Sequence, residues 1–211
     1  MDAQPTQDEL GTRERIVQAA DDLFYRRGFE RTSFADIAEA VKISRGNFYH
    51  HFKSKDDILD AVVARRLVGT RQMLAQWEAA GADPCERIRL FIDILIRNRS
   101  LILKYGCPVG TLCTELAKLE HATLPEANMI FTIFREWLRR QFESLGADED
   151  ADLFAMQLLA RSQGVATLAN AFDDEPFLRR EVREIHAWLE ARLADANPRR
   201  AISSRKRNKE M

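Results

Sequence analysis

Residues Ser33–Lys55, SFADIAEAVKISRGNFYHHFKSK, hold the pattern around which the rest of the chain is arranged. Phe34, Ile37, Ala38 and Val41 recur at helical spacing, which makes one face of a first short helix apolar. Ser33 precedes it as a cap. Asp36, three residues on, adds charge at the positive helix end but has a shorter reach than the Glu or Gln of a full capping box. After Lys42 and Ile43, Ser44 stands where it can cap a second helix, RGNFYHHF, on which Phe48 and Phe52 lie one turn apart and face the same core. Arg45, Gly46, Asn47, Tyr49 and His50 remain on the outward side. Two helices joined by a tight turn, the second short and polar outside, make a helix-turn-helix, and its natural partner is the DNA major groove.

The outward residues suit that partner. Arg45 can present a fork to guanine, Asn47 can read adenine bidentately, and Tyr49 can donate to a phosphate. Gly46 has no side chain to hold the helix away from a DNA backbone, at a cost of up to ~1 kcal/mol in helix propensity. Lys53, Ser54 and Lys55 follow directly. Ser54 is expected to cap the next helix with its amides directed at a phosphate. Residues 1–60 carry 9 basic and 12 acidic side chains, so this part is not basic in bulk. The positive footprint is local: Lys42, Arg45, Lys53 and Lys55 fall between Ala40 and Lys55 with no acid among them.

This stretch, with the TRERIVQAADDLFYRRGFERTSFADIAEA that contains its beginning and the FYHHFKSKDD that closes it, resembles the tetracycline-repressor family of bacterial regulators. The resemblance runs from about Thr12 to Leu59. It implies that Thr12, Arg13 and Thr32 sit near the DNA backbone, that Arg45, Asn47 and Tyr49 enter or edge the groove, and that His50, Lys53 and Lys55 hold phosphates. Lys42 departs from the family pattern, which usually has glycine in the turn. A lysine there either takes a left-handed conformation at a cost of order 1 kcal/mol or adopts another turn, and it adds a possible phosphate contact.

Outward from the motif, the chain is helical throughout. A helix from about Thr12 to Arg27 puts Ile16, Ala20, Leu23 and Phe24 on one face and stops at Gly28. Residues 1–11 read as a disordered arm, 12–54 as the DNA-binding domain, 55–197 as a ligand-binding and dimerisation domain, and 198–211 as a basic tail. A long helix from Lys55 to about Ala80, closed by Gly81, leads out of the motif without a Pro/Gly-rich linker. Movement at one end is therefore expected to reach the other. Asp83-Pro84 opens a helix to about residue 104, followed by helices near Gly110–Leu119, Pro125–Leu145, Glu149–Asn170 and from Glu175 onward. The count is about nine helices, all-α.

Met73, Trp77, Phe91, Leu95, Cys107, Phe131, Phe134 and Trp137 have two readings, ordinary bundle core or the walls of a ligand cavity, and the aromatic content suits a hydrophobic or planar molecule. The row Leu153, Met156, Ala160, Gly164, Leu168 narrows to small residues at its middle, as a close helix crossing requires. With Ile185, Trp188 and Leu189 on the last helix it offers a four-helix dimer interface, which the resemblance also implies. A two-fold dimer places recognition helices ~34–36 Å apart on a palindromic operator.

Cys107 lies in KYGCPVGTLCTEL, where two glycines and Pro108 break the helix beside Lys104 and Tyr105. It is either a thiolate-prone sensor of electrophiles or a small core hydrophobe. Some branches of the family carry a glycine-cysteine pair at this junction, and thiol sensing occurs among them.

No apolar run reaches membrane-spanning length, and MDAQPTQDEL is acidic and polar where a signal peptide is basic and then apolar, so a cytoplasmic protein is expected. Three cysteines and four histidines show no metal-ligand spacing, and no cofactor is expected. No nucleophile, carboxylate pair or metal motif indicates an enzyme; Glu115, Glu120 and His121 read equally well as surface residues. The expectation is a homodimeric, ligand-responsive regulator, most simply a repressor. The competing classes are a thiol sensor acting through Cys107 and a helical interaction module that no longer reads DNA.

Overall fold

The computed structural model describes residues 11–80 and 83–196. The arm at 1–10, the stop at Gly81 and the basic tail at 198–211 lie outside the described residues. The described chain is all-helical: α1 (Thr12–Arg27), α2 (Phe34–Val41), α3 (Arg45–His51), α4 (Lys55–Ala79), α5 (Pro84–Ile92), α6 (Ile94–Arg97), α7 (Arg99–Tyr105), α8 (Pro108–Lys118), α9 (Leu124–Ser144), α10 (Ala151–Phe172) and α11 (Glu175–Ala196), with a 3-10 turn at Asp148–Asp150. The segments α5, α6 and α7 follow one another with single-residue breaks at Asp93 and Asn98. Counted as the one interrupted helix that the sequence pattern gave, they bring the total to nine.

Two compact units form. The first takes the residues up to Thr70 together with Pro108–Ile130; the second takes Arg71–Cys107 and the residues from Phe131 onward. In the first, α1 packs on α2 and α8, and α2 on α3. Its core is built from the residues the helical spacing singles out, including Ile16, Ala20, Phe24, Ile37, Val41, Phe48 and Phe52. Burying each large apolar side chain contributes about 1.5–3 kcal/mol.

Caps fix where its helices begin and end. Ser33 and Asp36 form a complete capping box: the Ser33 hydroxyl accepts from the Asp36 amide at 3.2 Å, and Asp36 accepts from the Ser33 amide at 2.7 Å. The shorter Asp side chain does reach, contrary to the expectation from its length. Lys42 takes the left-handed conformation, φ 54 and ψ 47, its amide donating to Glu39 and that of Ile43 to Ala38. This is a Schellman closure made without glycine. The turn between α2 and α3 therefore keeps the ordinary shape and carries the strain in Lys42.

In the second unit, α10 packs against α7 and α11, and α11 also against α5 and α6. Asp83 caps α5 through the Glu86 amide at 3.0 Å, with Pro84 in the first turn. Asp174 accepts from the Phe177 amide at 2.8 Å and so caps α11.

Candidate nucleic-acid interface

Helix α3 opens at Arg45, where the Ser44 hydroxyl accepts from the Asn47 amide at 3.3 Å. Phe48 and Phe52 are buried at 1% and 3% exposure, which anchors one side of the helix. Gly46, Asn47, Tyr49 and His50 are exposed on the other, as are Lys42, Ser44 and Lys53. A Cβ added at Gly46 would meet nothing within 4 Å, so nothing inside the chain requires glycine there. Tyr49 is 48% exposed and is steered by Phe34, whose ring lies 5.6 Å from it and 5.1 Å from Phe48. The Lys53 ammonium returns to the Tyr49 carbonyl at 2.5 Å. Beside α3, a shallow cleft of about 300 Å³ runs between Ser33, Phe34, Ala35, Ala38, Phe48 and Tyr49.

Other expected backbone contacts are placed differently. Thr32 is 1% exposed, and its hydroxyl donates to the Gly28 carbonyl at 2.7 Å. It has no surface for a phosphate. Lys55 sends its ammonium to the Phe29 carbonyl at 3.0 Å and lies 4.2 Å from the Phe29 ring centre. Thr12 is half-buried, and exposed Arg13 holds its guanidinium 4.8 Å from the Phe52 ring centre. The Ser54 hydroxyl accepts from the Asp57 amide at 3.0 Å, as its capping role requires. The amides of Lys53 and Ser54, however, both donate to the Asp57 carboxylate at 3.0 and 2.9 Å and are not directed outward. The Ser54 hydroxyl and these two amides hold the Asp57 carboxyl below its ordinary range. The Ser33 hydroxyl and amide, with Arg27 adding a smaller share, do the same for Asp36.

Sequence reasoning missed the part played by α8 and the turn after it. Glu115, which reads equally well as a surface residue in the sequence, accepts from the Phe29 amide at 2.9 Å and the Glu30 amide at 3.0 Å. His121 accepts from the Thr123 amide at 3.1 Å, faces Asp56 at 3.3 Å and meets Phe29 edge-on at 5.1 Å. The Thr123 hydroxyl donates to Asp60 at 2.7 Å. No local pattern announces pairs that lie more than 60 residues apart.

The candidate ligand residues are gathered in the second unit. Trp77, Phe91, Leu95 and Trp137 are buried in its core, with Met73, Cys107, Phe131 and Phe134 half-buried against them. Trp77 and Trp137 lie 5.6 Å apart, and Phe91 and Phe134 5.3 Å apart. The Trp137 indole donates to Glu78 at 2.8 Å. Arg87 donates to buried Gln141 and to the Glu78 carbonyl, and among the described residues its Nε is the buried side-chain polar atom left without a partner. Cys107 follows Gly106, whose φ of 77° ends α7, and the three cysteines form no disulfide. Cys85 and Cys113 are buried.

Of the candidate dimer residues, Leu153, Met156, Ala160, Gly164 and Leu168 are all exposed and form one stripe along α10, which continues to Phe172 at 74% exposure. Trp188 is half-buried. Ile185 and Leu189 are buried in the chain's own core at 1% and 0%, and so have no surface to give a partner; α11 instead exposes Ala187 and Ala191.

No helix among the described residues is long and apolar enough to cross a membrane, and no group of three metal-ligating side chains occurs among them. A short recognition helix, anchored by two buried phenylalanines and polar where it is exposed, defines a helix-turn-helix DNA-binding protein.

Comparison with known proteins agrees. A family model for bacterial regulatory proteins of the tetR family matches residues 16–62. The HTH-type transcriptional regulator TtgR of Pseudomonas putida is 44% identical over 166 residues, covering 73% of this chain and 78% of TtgR. The HTH-type transcriptional repressor DhaR of a Mycobacterium species is 25% identical over 162 residues, 72% of this chain and 79% of DhaR. A TetR transcriptional regulator from Legionella pneumophila, known from its crystal structure, is 28% identical with a TM-score of 0.76, over 85% of this chain and 97% of that one. The chain belongs to the tetR family of bacterial transcriptional regulators, which are not enzymes.

Proposed function

We propose that the protein is a cytoplasmic, homodimeric repressor that binds a palindromic operator and is released by a small molecule. The observation that carries this reading is the exposed set Gly46, Asn47, Tyr49 and His50 on a helix whose other side is anchored in the core. Asn47 and Arg45 read base edges, Tyr49 edges the groove, and His50, Lys53 and Lys42 meet phosphates. DhaR, named a repressor, supports the sign of regulation. The exposed apolar stripe of α10 supports a two-fold partner, because a stripe of that length is costly to leave in water.

In this reading residues 12–54 bind DNA and 55–197 bind the effector and the second protomer. The effector is apolar or planar and enters among Met73, Trp77, Phe91, Leu95, Cys107, Phe131, Phe134 and Trp137. An acceptor on it would satisfy Arg87 Nε. Binding shifts the population toward a state with lower operator affinity, and α4, one continuous helix carrying both Ile58 and Trp77, connects the two ends. Selection from a random-sequence DNA pool at fixed salt, with the eluted complex sized, tests this. One palindrome bound by a dimer supports it; sequence-blind or absent binding sinks it.

The half-buried position of Cys107 after Gly106 favours a second reading, in which an electrophile alkylates its thiolate and releases the operator. Cys107→Ser then keeps operator binding and abolishes release by N-ethylmaleimide. Release that persists in the variant excludes it.

A further inference from the structure

We propose that Glu115 is a positioning residue for operator recognition, holding from α8 the corner between α1 and α2 that sets the helix-turn-helix. Its carboxylate accepts the amides of Phe29 and Glu30 at 2.9 and 3.0 Å, two successive donors in the turn. Gly28, at φ 92°, makes room for it: a Cβ there would stand 2.9 Å from Glu115 Oε1 and 3.2 Å from Oε2. The carboxylate occupies the space a side chain at residue 28 would fill, so glycine answers both a backbone and a packing demand.

Other groups of the corner are held as well. The Phe29 carbonyl takes the Lys55 ammonium, and the Phe29 ring is met edge-on by Phe24 at 5.3 Å and by His121 at 5.1 Å. The Thr32 hydroxyl closes on Gly28, and Ser33, the next residue, opens the capping box of α2. Helix α8 is fixed in turn, because Arg66 donates to the Pro108 carbonyl at 2.7 Å while also holding Asp21 of α1. A rigid corner places α2, and α2 carries α3.

The proposal rests on site-specific operator binding, and its sign separates it from simple charge. Glu115 is an anion in a DNA-binding unit, so removing it should tighten binding to any DNA if only long-range electrostatics mattered. Positioning requires the opposite, and at the operator alone. In full-length protein, Glu115→Ala is expected to lose about tenfold or more in operator affinity, as loss of two amide bonds to a charged acceptor implies. Affinity for random-sequence duplex stays level or rises, and the slope against salt concentration is unchanged, since no phosphate contact is removed. Glu115→Gln, which keeps an acceptor oxygen for one amide, recovers part of the loss. Amide hydrogen exchange at Phe29 and Glu30 accelerates in the Ala variant.

Unchanged operator affinity overturns the proposal. So does an equal fall for operator and random DNA accompanied by a lower unfolding midpoint, which marks a structural role only. A wild-type protein that selects no operator defeats the proposed function instead. In that event unaltered exchange at Phe29 and Glu30 in Glu115→Ala overturns the corner by itself.

Discussion

Arg66 of α4 and Asp21 of α1 form an ion pair with Nη2 and Nε 2.7 and 2.8 Å from the same carboxylate oxygen, and their side chains are only 12% and 26% exposed. At that degree of enclosure solvent screens the attraction weakly, and a partner left behind loses much of its hydration without compensation. Arg66→Ala is expected to cost about 2–3 kcal/mol in unfolding free energy, because Asp21 and the Pro108 carbonyl both lose a charged donor. Adding Asp21→Ala should cost less than the sum of the single changes. Urea titration of the four proteins of this double-mutant cycle checks both statements.

Lys42 offers a change in the other direction. Its φ of 54° places a side chain in the left-handed region, and it is not an asparagine or aspartate that bonds locally to offset the cost. Lys42→Gly should therefore stabilise the fold by up to about 1 kcal/mol. If the exposed ammonium meets a phosphate, the same variant flattens the dependence of log affinity on log salt by about one unit without altering base preference. A thermal unfolding scan and a binding series in salt separate the two effects.

The helical register was legible wherever one residue's chemistry decides a local question. Phe48 and Phe52 one turn apart fixed the buried side of α3, Gly28 the end of α1, and Ser44 and Ser54 the starts of α3 and α4. Helix-to-helix ties were not legible in the same way. Lys55 follows a basic run and looks like a phosphate ligand, yet its ammonium closes on a carbonyl 26 residues earlier. Thr32 departs from its expected place, and the role of Glu115 stayed open, for the same reason: a polar side chain gives no sign in sequence of whether its partner is solvent, DNA or a distant amide. Ile185 and Leu189 show the apolar counterpart, since a spacing of four establishes a shared helix face but does not say whether a partner chain or the chain's own core covers it.

Acid should loosen the DNA-binding unit through two capping carboxylates. Asp36 and Asp57 are both held below their ordinary range, the first chiefly by the Ser33 hydroxyl and the second chiefly by the Ser54 hydroxyl. A carboxylate with a depressed folded value contributes stability that is fully present above its unfolded value. That contribution is lost as pH falls through the folded value. The loss thus begins near pH ~4 and continues below it. Both groups lie at the surface, so the effect is a shallow slope and not a cliff. Asp57→Asn should flatten the stability profile below pH ~4 and lower the plateau above it. Unfolding midpoints measured across that range, at constant ionic strength, check the sign; a variant as acid-sensitive as the wild type removes the cap from the account.

The exposed stripe on α10 yields a prediction in which stability and assembly move apart. Gly164 sits mid-helix, and a Cβ added there would meet nothing within 4 Å in its own chain. Replacing it with a residue of high helix propensity should therefore strengthen the isolated protomer, by up to about 1 kcal/mol for glycine to alanine and nearly as much for leucine. In a two-fold interface built on this stripe the same position would be where the helices approach closest, because Ala160 and Gly164 are the smallest of its exposed residues between Met156 and Leu168. There a leucine at 164 should force them apart, while alanine should be tolerated. Gly164→Leu is expected to sediment as a monomer with full helical circular dichroism, and Gly164→Ala as a dimer with a raised unfolding midpoint. A leucine variant that remains a dimer would place the interface away from this stripe.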